Sequence, residues 1–478
     1  MITKNEIYDA KHLLIKKLKD FFNHDMSALS QEEKEKIIRL EVNLNNVSLL
    51  NWLRQQRASV KTYWSDREQI FEMAGVGEAD VIYGQQAIDY PSVFARFQKC
   101  LSPAYKNLRY YGGISFSQQL ALESSWQQFG NYRFVVPQFE LYSENQETYL
   151  ACNFILNSSE NYQQQLSQLL DELDKLVFST YYEENELPLL AGRKDLPDEI
   201  GWEQNIKIAL ASFEQGETAK IVLARKAIFE SLEQIEPLTL LLLLKKANSQ
   251  LFHFCFQPSS GHAFIGGTPE RLYSRLERLL QTEAIAGTRP RGKSLQEDQK
   301  LGEELLTSEK DIREHQFVVH SLRGVLHQLC HSVGLRREPA LLKLNKVQHL
   351  HTPCNGILLD SVSDAELLLM LHPTPAVGGY PKEQALMAIE KIEPFERGWY
   401  AGPVGWVGHD AAEFAVGIRS GLVENNQLSL FSGAGIVQGS KPEEEWQEIE
   451  NKISNYLQIM GCLDGHKLQP EVAILPLN

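Results

Sequence analysis

The sequence predicts an α+β protein with layered, mainly antiparallel sheets. Three observations point there. Short apolar runs of strand length crowd the middle and last third with no regular β-α alternation. Two such runs, 252–257 and 263–267, meet at a Ser-Ser-Gly turn. No dinucleotide-type glycine fingerprint opens a helix, so a doubly wound parallel sheet lacks its usual signature.

Taken in order, 3–22 and 31–38 carry helical spacing. In 108–116, Tyr-Tyr-Gly-Gly-Ile-Ser-Phe predicts a turn or bulge between apolar runs. Strands are expected at 132–140 and 148–156, then an amphipathic helix at 163–177 from its leucine spacing. Residues 179–198 are polar, with Pro188 and Pro197, and mark the expected subdomain boundary. A helix at 202–215, a strand at 220–229 and a helix at 238–248 follow, and 299–330 reads as one long helical stretch. Strands at 401–408, 413–418 and 428–432 and a helix at 442–460 complete the chain. The expected division is 1–198, a variable region that completes the fold, 199–462, a catalytic core, and 463–478, a tail.

The 478 residues are 43% hydrophobic and 23% charged, the balance of a globular protein able to bury a core. A net charge of -15 argues against a nucleic-acid or anionic-membrane surface, although a local cleft can still take a small anion. Cys100, Cys152, Cys255, Cys330, Cys354 and Cys462 are scattered with no Cys-x-x-Cys pair, as expected of reduced thiols in a cytoplasmic protein. Residues 1–22 lack a signal-type apolar core, and the leucine run 240–244 is far too short to span a bilayer.

Several motifs carry chemistry, each with a plainer alternative. Lys220 opens Lys-Ile-Val-Leu-Ala-Arg. A lysine at a strand entrance is either solvated or, when buried near positive charge, a general base that works against a reference pKa of about 10.4. Glu270 lies in Gly-Gly-Thr-Pro-Glu-Arg-Leu. It is either a turn acid or a carboxyl kept protonated by exclusion of water, able to donate to a leaving hydroxyl. Glu314 is four residues from Lys310, and Glu445 and Glu448 precede Lys452 on one helix face. These are either surface ion pairs or carboxylates on two helices that hold Mg²⁺. Gly433 and Gly435 in Gly-Ala-Gly-Ile-Val form a hairpin turn or an anion-binding loop of amides. Arg419 ends an apolar strand and has the fork for a carboxylate. Gly287 and Thr288 begin Gly-Thr-Arg-Pro-Arg-Gly, a second candidate anion turn that lacks the P-loop ending. His372, before two prolines in His-Pro-Thr-Pro, reads as a structural histidine.

Together these segments, with Ala-Gly-Thr, Arg-Gly-Trp-Tyr-Ala-Gly, Ile-Arg-Ser and Glu-Trp-Gln-Glu-Ile-Glu-Asn-Lys, resemble the chorismate-utilising enzymes over roughly 202–460. The resemblance implies two antiparallel sheets with helices between and around them, chorismate as substrate and Mg²⁺ as cofactor. It implies metal ligands at Glu314 and Glu448 with Glu445 nearby. It places Arg419, Tyr400, Gly433 and Gly435 on a substrate carboxylate, and His372, Gly287 and Thr288 around the pocket. Members that add water resemble this chain in carrying a lysine at the position of Lys220, whereas members that add ammonia do not. Aminodeoxychorismate synthases carry a lysine where this chain has Ala286. The implied activity is isochorismate formation, of the menaquinone-pathway type, or feeding a siderophore. Lys220 would then be the base and Glu270 the acid. Salicylate synthase, anthranilate synthase component and silent chorismate-binding protein are the alternatives. A monomer or homodimer with no glutaminase subunit is expected.

Overall fold

The computed structural model describes residues 4–44, 47–118, 122–156, 161–179, 186–336 and 338–461. The expected tail and Cys462 lie outside the described residues. Two large sheets dominate, and among the described residues every strand pairing within them is antiparallel. The 12-stranded sheet runs from Ile37–Asn43 at one edge through Lys61–Ser65, Phe252–Ser259 and Gln427–Val437 to Lys220–Ser231 and Gly379–Tyr380. The 10-stranded sheet runs from Cys330–Leu335 through Leu279–Pro290, Arg271–Leu276 and Pro403–Gly408 to Arg109–Ile114 and Asp80–Gly84. The α+β layered architecture is therefore the one the strand pattern predicts.

The continuous apolar runs follow from burial on both faces. In Phe252–Ser259, Phe254 and Phe256 enter the core between the sheets, while Cys255 enters a second core on the outer face. The inter-sheet core is aromatic: Trp126 meets Phe264 at 5.5 Å, and Phe129 meets Trp399 at 5.4 Å between ring centroids. The outer core is closed by Lys4–Asn23, Tyr162–Lys175 and Pro237–Ala247, which supply Leu14, Leu18, Leu169 and Leu241. Cys152, Cys255, Cys330 and Cys354 are buried free thiols, and Cys100 is half-buried.

Several local expectations are corrected. Residues 31–38 form one helical turn, Gln31–Lys34, closed by a Ser30/Glu33 capping box, and then enter strand Ile37–Asn43. The charged run sustains the turn, but β-branched Ile37 and Ile38 pair with Ile155 and Phe154. The run 132–140 is two strands, Tyr132–Val136 in one sheet and Phe139–Glu144 in the other; the chain crosses at Pro137, which has no ladder donor. The stretch 299–330 is two helices, Leu295–Thr307 and Glu309–Leu329; the Ser308 hydroxyl accepts from the Asp311 N–H and starts the second. Leu190–Leu196, within the polar stretch 179–198, is a strand paired with Lys220–Ser231, so both sides of residue 198 contribute to one sheet.

Gly112 and Gly113 are not a turn but lie inside Arg109–Ile114. A Cβ at Gly112 would sit 1.9 Å from the Arg133 carbonyl oxygen, and one at Gly113 would sit 2.6 Å from the Trp399 ring. The pair therefore serves close approach of neighbouring backbone and an indole. Gly112→Ala should destabilise the fold by about 1–3 kcal/mol in chemical denaturation. Gly192→Ala, at a strand position with nothing within 4 Å, should leave the midpoint unmoved. An unchanged midpoint for Gly112→Ala would mean that these strands part at no cost.

Candidate active site

The two sheets open at one end into a cleft of about 380 Å³. Strands Lys220–Ser231 and Gln427–Val437 form one wall, and the bulged strand Leu279–Pro290 forms another. Helix Glu309–Leu329 packs on the latter and helix Pro442–Ile459 on the former, so each sheet brings one helix to the mouth. The first turns inward on His315, Val318, Leu322 and Leu326; the second does so on Glu445, Ile449 and Ile453. Glu314 and Glu448, one residue off these faces, are thereby aimed along the cleft.

Glu314, Glu445 and Glu448 are each held by a lysine. Lys220 Nζ donates to Glu314 Oε1 at 2.9 Å, Lys310 Nζ to Glu445 Oε1 at 2.9 Å, and Lys452 Nζ to Glu448 Oε1 at 2.6 Å. Lys310 and Glu314 do not pair along the helix as an i,i+4 reading expects; each reaches across to the other sheet's side. Burial and the Glu448 charge push the Glu445 carboxyl up, whereas Lys452 draws Glu448 down. Repulsion between neighbouring carboxylates is what a cation relieves. Among the described residues, no group of three or more His, Cys, Asp or Glu is gathered at metal-ligand spacing.

Lys220 is fully buried at the head of its strand, behind Glu314. Glu270 is buried on the facing side, where the Thr374 hydroxyl approaches its Oε1 at 3.5 Å. Burial, then the negative charge of Glu283, pushes the Glu270 carboxyl up to about 8, against the opposing charges of Lys220 and Lys452. Glu270 thus keeps its proton at neutral pH. Lys220 does not itself line the cleft; it reaches it through Glu314, to which it is bonded.

Gly433 and Gly435 lie within strand Gln427–Val437, not in a loop. The neighbouring strand Ser420–Glu424 pairs only as far as Leu430, which leaves this edge open. The Gly433 carbonyl accepts from Lys452 at 2.7 Å, so it faces away from Lys220–Ser231. N–H and C=O of one strand residue point the same way, and those of residues two apart share an edge. The amides of Gly433 and Gly435 therefore face the open edge. A Cβ at Gly435 would stand 2.7 Å from Glu314 Oε1 and 2.9 Å from Lys220 Cε, so only glycine leaves room for that ion pair.

Arg419 lines the cleft at φ 51°; its guanidinium donates to the Lys452 carbonyl and has no carboxylate at ion-pair distance among the described residues. Tyr400 stacks on Phe431 at 5.1 Å. Gly287, at φ +69°, is the bulge of its strand rather than a turn, and it swings Thr288 beside His349, 3.1 Å from Nδ1. His372 is not among the residues lining the cleft. Its Nε2 donates to the Ala401 carbonyl at 2.9 Å and its ring meets Phe116, the structural part read from its sequence setting.

Three contributors escaped the sequence. His349 lines the cleft with Nε2 unpartnered; burial pushes it down to about 4, so it stays neutral. Lys452, which the sequence marks only as a helix-pair partner, also lines the cleft and binds the Gly433 carbonyl. Glu283 follows Gln281 and Thr282 in its strand, so its charge breaks no apolar pattern and gave no signal.

The family model described as chorismate binding enzyme matches residues 23–461, so it extends through the first 200 residues as well. Isochorismate synthase MenF of Bacillus subtilis is 32% identical over 435 residues, 87% of this chain and 91% of that protein. Isochorismate synthase MenF of Haemophilus influenzae is 32% identical over 441 residues, 91% of this chain and 94% of that protein. The solved structure of MenF, the menaquinone-specific isochorismate synthase from Escherichia coli, aligns with a TM-score of 0.80 at 28% identity, covering 93% of this chain and 99% of that one. A match along nearly the whole sequence, carried by the same two-sheet architecture, makes this chain a member of the chorismate-binding enzyme family.

Proposed function

We propose that the protein is an isochorismate synthase that interconverts chorismate and isochorismate by adding water at C2 and releasing the C4 hydroxyl. The observation that carries this reading is Glu270, a buried carboxyl lining the cleft that burial and the charge of Glu283 push up to about 8. A simple binding protein has no need of a buried acid held neutral, whereas a salicylate synthase would share it and differs in its products. The relatives' names supply the reaction, and the menaquinone branch is proposed from the same source.

Lys220 would take a proton from the attacking water. The ring double bonds would shift, and Glu270 would protonate the departing hydroxyl. Water is thus consumed at C2 and released at C4, and the return reaction swaps the two roles. Arg419, with the open-edge amides of Gly433 and Gly435, would hold the enolpyruvyl carboxylate, and Tyr400 and Thr288 would bound the pocket. The donor set suits a hard cation, being carboxylate with no thiolate: Mg²⁺ would be held by Glu314 and Glu448 with Glu445 alongside, supplying charge neutralisation for the ring carboxylate. Cytoplasmic location and action as a monomer or homodimer without a glutaminase subunit belong to the same proposal; among the described residues no helix is long and apolar enough to cross a membrane.

Purified protein given chorismate and Mg²⁺ should yield isochorismate by chromatography, with or without ammonium. Salicylate plus pyruvate, or anthranilate, would replace this reading with another. Chelation of divalent ions should abolish turnover, and full activity after exhaustive chelation would discard the metal role.

Lys220→Ala and Glu270→Gln should each lower kcat by at least about 100-fold. The forward rate should fall as pH rises through about 8, where Glu270 loses its proton. Stability has a matching sign. The folded chain keeps a proton that the unfolded chain releases above 4.5, so Glu270 costs stability increasingly from 4.5 towards 8. The melting temperature of Glu270→Gln relative to wild type should therefore rise between pH 5 and pH 8. A difference that does not change with pH would contradict the raised proton affinity.

A further inference from the structure

We propose that Arg67 and Glu283 clamp the backbone on both sides of Glu270 and act as positioning residues for its proton transfer. The proposal rests on the reading of Glu270 as the acid and gives the N-terminal half of the chain a part in the chemistry.

Arg67 sits on the turn between strands Lys61–Ser65 and Phe71–Val76. The turn is itself fixed: Asp66 accepts from the Ile70 and Phe71 N–H groups at 2.9 and 2.8 Å. From there Arg67 Nη1 reaches the Pro269 carbonyl at 2.7 Å, immediately before Glu270. The same guanidinium forks onto Glu283, at 2.7 Å to Oε1 and 3.0 Å to Oε2. Glu283 Oε1 in turn accepts the Arg271 N–H at 3.0 Å, immediately after Glu270. The next residue in the same turn, Glu68, binds the Arg271 guanidinium at 2.8 Å. The Glu270 carbonyl accepts from the Val416 N–H at 3.0 Å. Both peptide groups that flank the acid are thus held by one ion pair, the first through its carbonyl and the second through its N–H, and Val416 holds the carbonyl of the second.

The pair also has an electrostatic consequence. Burial pushes the Glu283 carboxyl up, but the His351 hydrogen bond at 2.9 Å and the Arg67 charge outweigh it and hold it down at about 2. Glu283 therefore stays ionised throughout the working range and opposes ionisation of Glu270. The other groups acting on Glu270 are Thr374, Lys220 and Lys452, all of which favour its charged form. Among these neighbours, only Glu283 raises its proton affinity. A bidentate arginine pair serves both ends: it fixes the carboxylate's place and keeps it charged.

Glu283→Gln, Arg67→Ala, Arg67→Lys and Glu270→Gln should be assayed on the full chain with chorismate across pH, with melting temperature recorded for each. Glu283→Gln should lower kcat about 10- to 100-fold with KM for chorismate unchanged. Its alkaline limb should move to lower pH, because the charge that holds the proton on Glu270 is gone. Arg67→Ala should lower kcat at unchanged KM, and Arg67→Lys should recover part of the loss. Wild-type kcat with an unmoved alkaline limb in Glu283→Gln would overturn the clamp, as would losses that track the melting temperature alone. If Glu283→Gln fails to fold, Arg67→Lys decides: lower kcat at constant KM supports the clamp, and wild-type kcat refutes it. An active Glu270→Gln would instead remove the acid assignment, while an inactive Glu270→Gln beside fully active clamp variants would remove only the clamp.

Discussion

Charge buried in the seam between two apolar sheets must be matched across that seam, and this constraint organises the site. An isolated ion withdrawn from water costs several kcal/mol, and a pair repays this only when its geometry is good. Lys220 comes from the 12-stranded sheet and Glu314 from a helix of the other, while Lys310 on that helix answers Glu445 on the opposite one. The pairs cross in both directions, so neither sheet can shift without stranding a charge. The same crossing gathers Lys310, Lys452, Glu314, Glu445, Glu448 and the Arg419 guanidinium around one small cleft.

Glu270 departs from this rule in an instructive way. Among the described residues its carboxyl has no cationic partner at bonding distance, only the Thr374 hydroxyl, and Glu283 acts on it as a like charge. The group avoids the cost of a buried charge by staying neutral, which is the state a proton donor needs. Glu283, in contrast, is saturated by Arg67, His351 and the Arg271 amide. Two buried carboxyls, one just ahead of strand Arg271–Leu276 and one on the adjoining strand, are thus driven to opposite protonation states, the first by burial and a like charge and the second by its partners.

Glycine at the cleft serves space rather than flexibility. Gly435 makes room for the Lys220–Glu314 pair, and Gly433 lies where a Cβ would come within 3.0 Å of the Tyr400 hydroxyl. Both keep an unpaired strand edge accessible. A free edge is usually a liability, but here it lies inside the molecule and offers amides to an anion.

The sequence by itself determined the antiparallel layered class and most of its elements, because these depend on local period and residue type; the proposed roles of the lysine and carboxylate segments came from their resemblance to a family. Long helices such as Pro442–Ile459 were legible from apolar spacing alone. Only the tertiary structure decided the partners. Lys310 with Glu314 is the natural helical pair, yet both residues bond to groups 135 and 94 positions away. The Gly-Gly and Gly-Ala-Gly segments looked like turns because glycine tolerates every backbone region. They are strands because a carbonyl, an indole or a lysine chain approaches from elsewhere. Arg67 gave no signal at all, since its role exists only where a hairpin turn in one sheet meets Pro269 and Glu283, more than 200 residues along the chain. Periodicity records which face is buried; it carries no information about what that face is buried against.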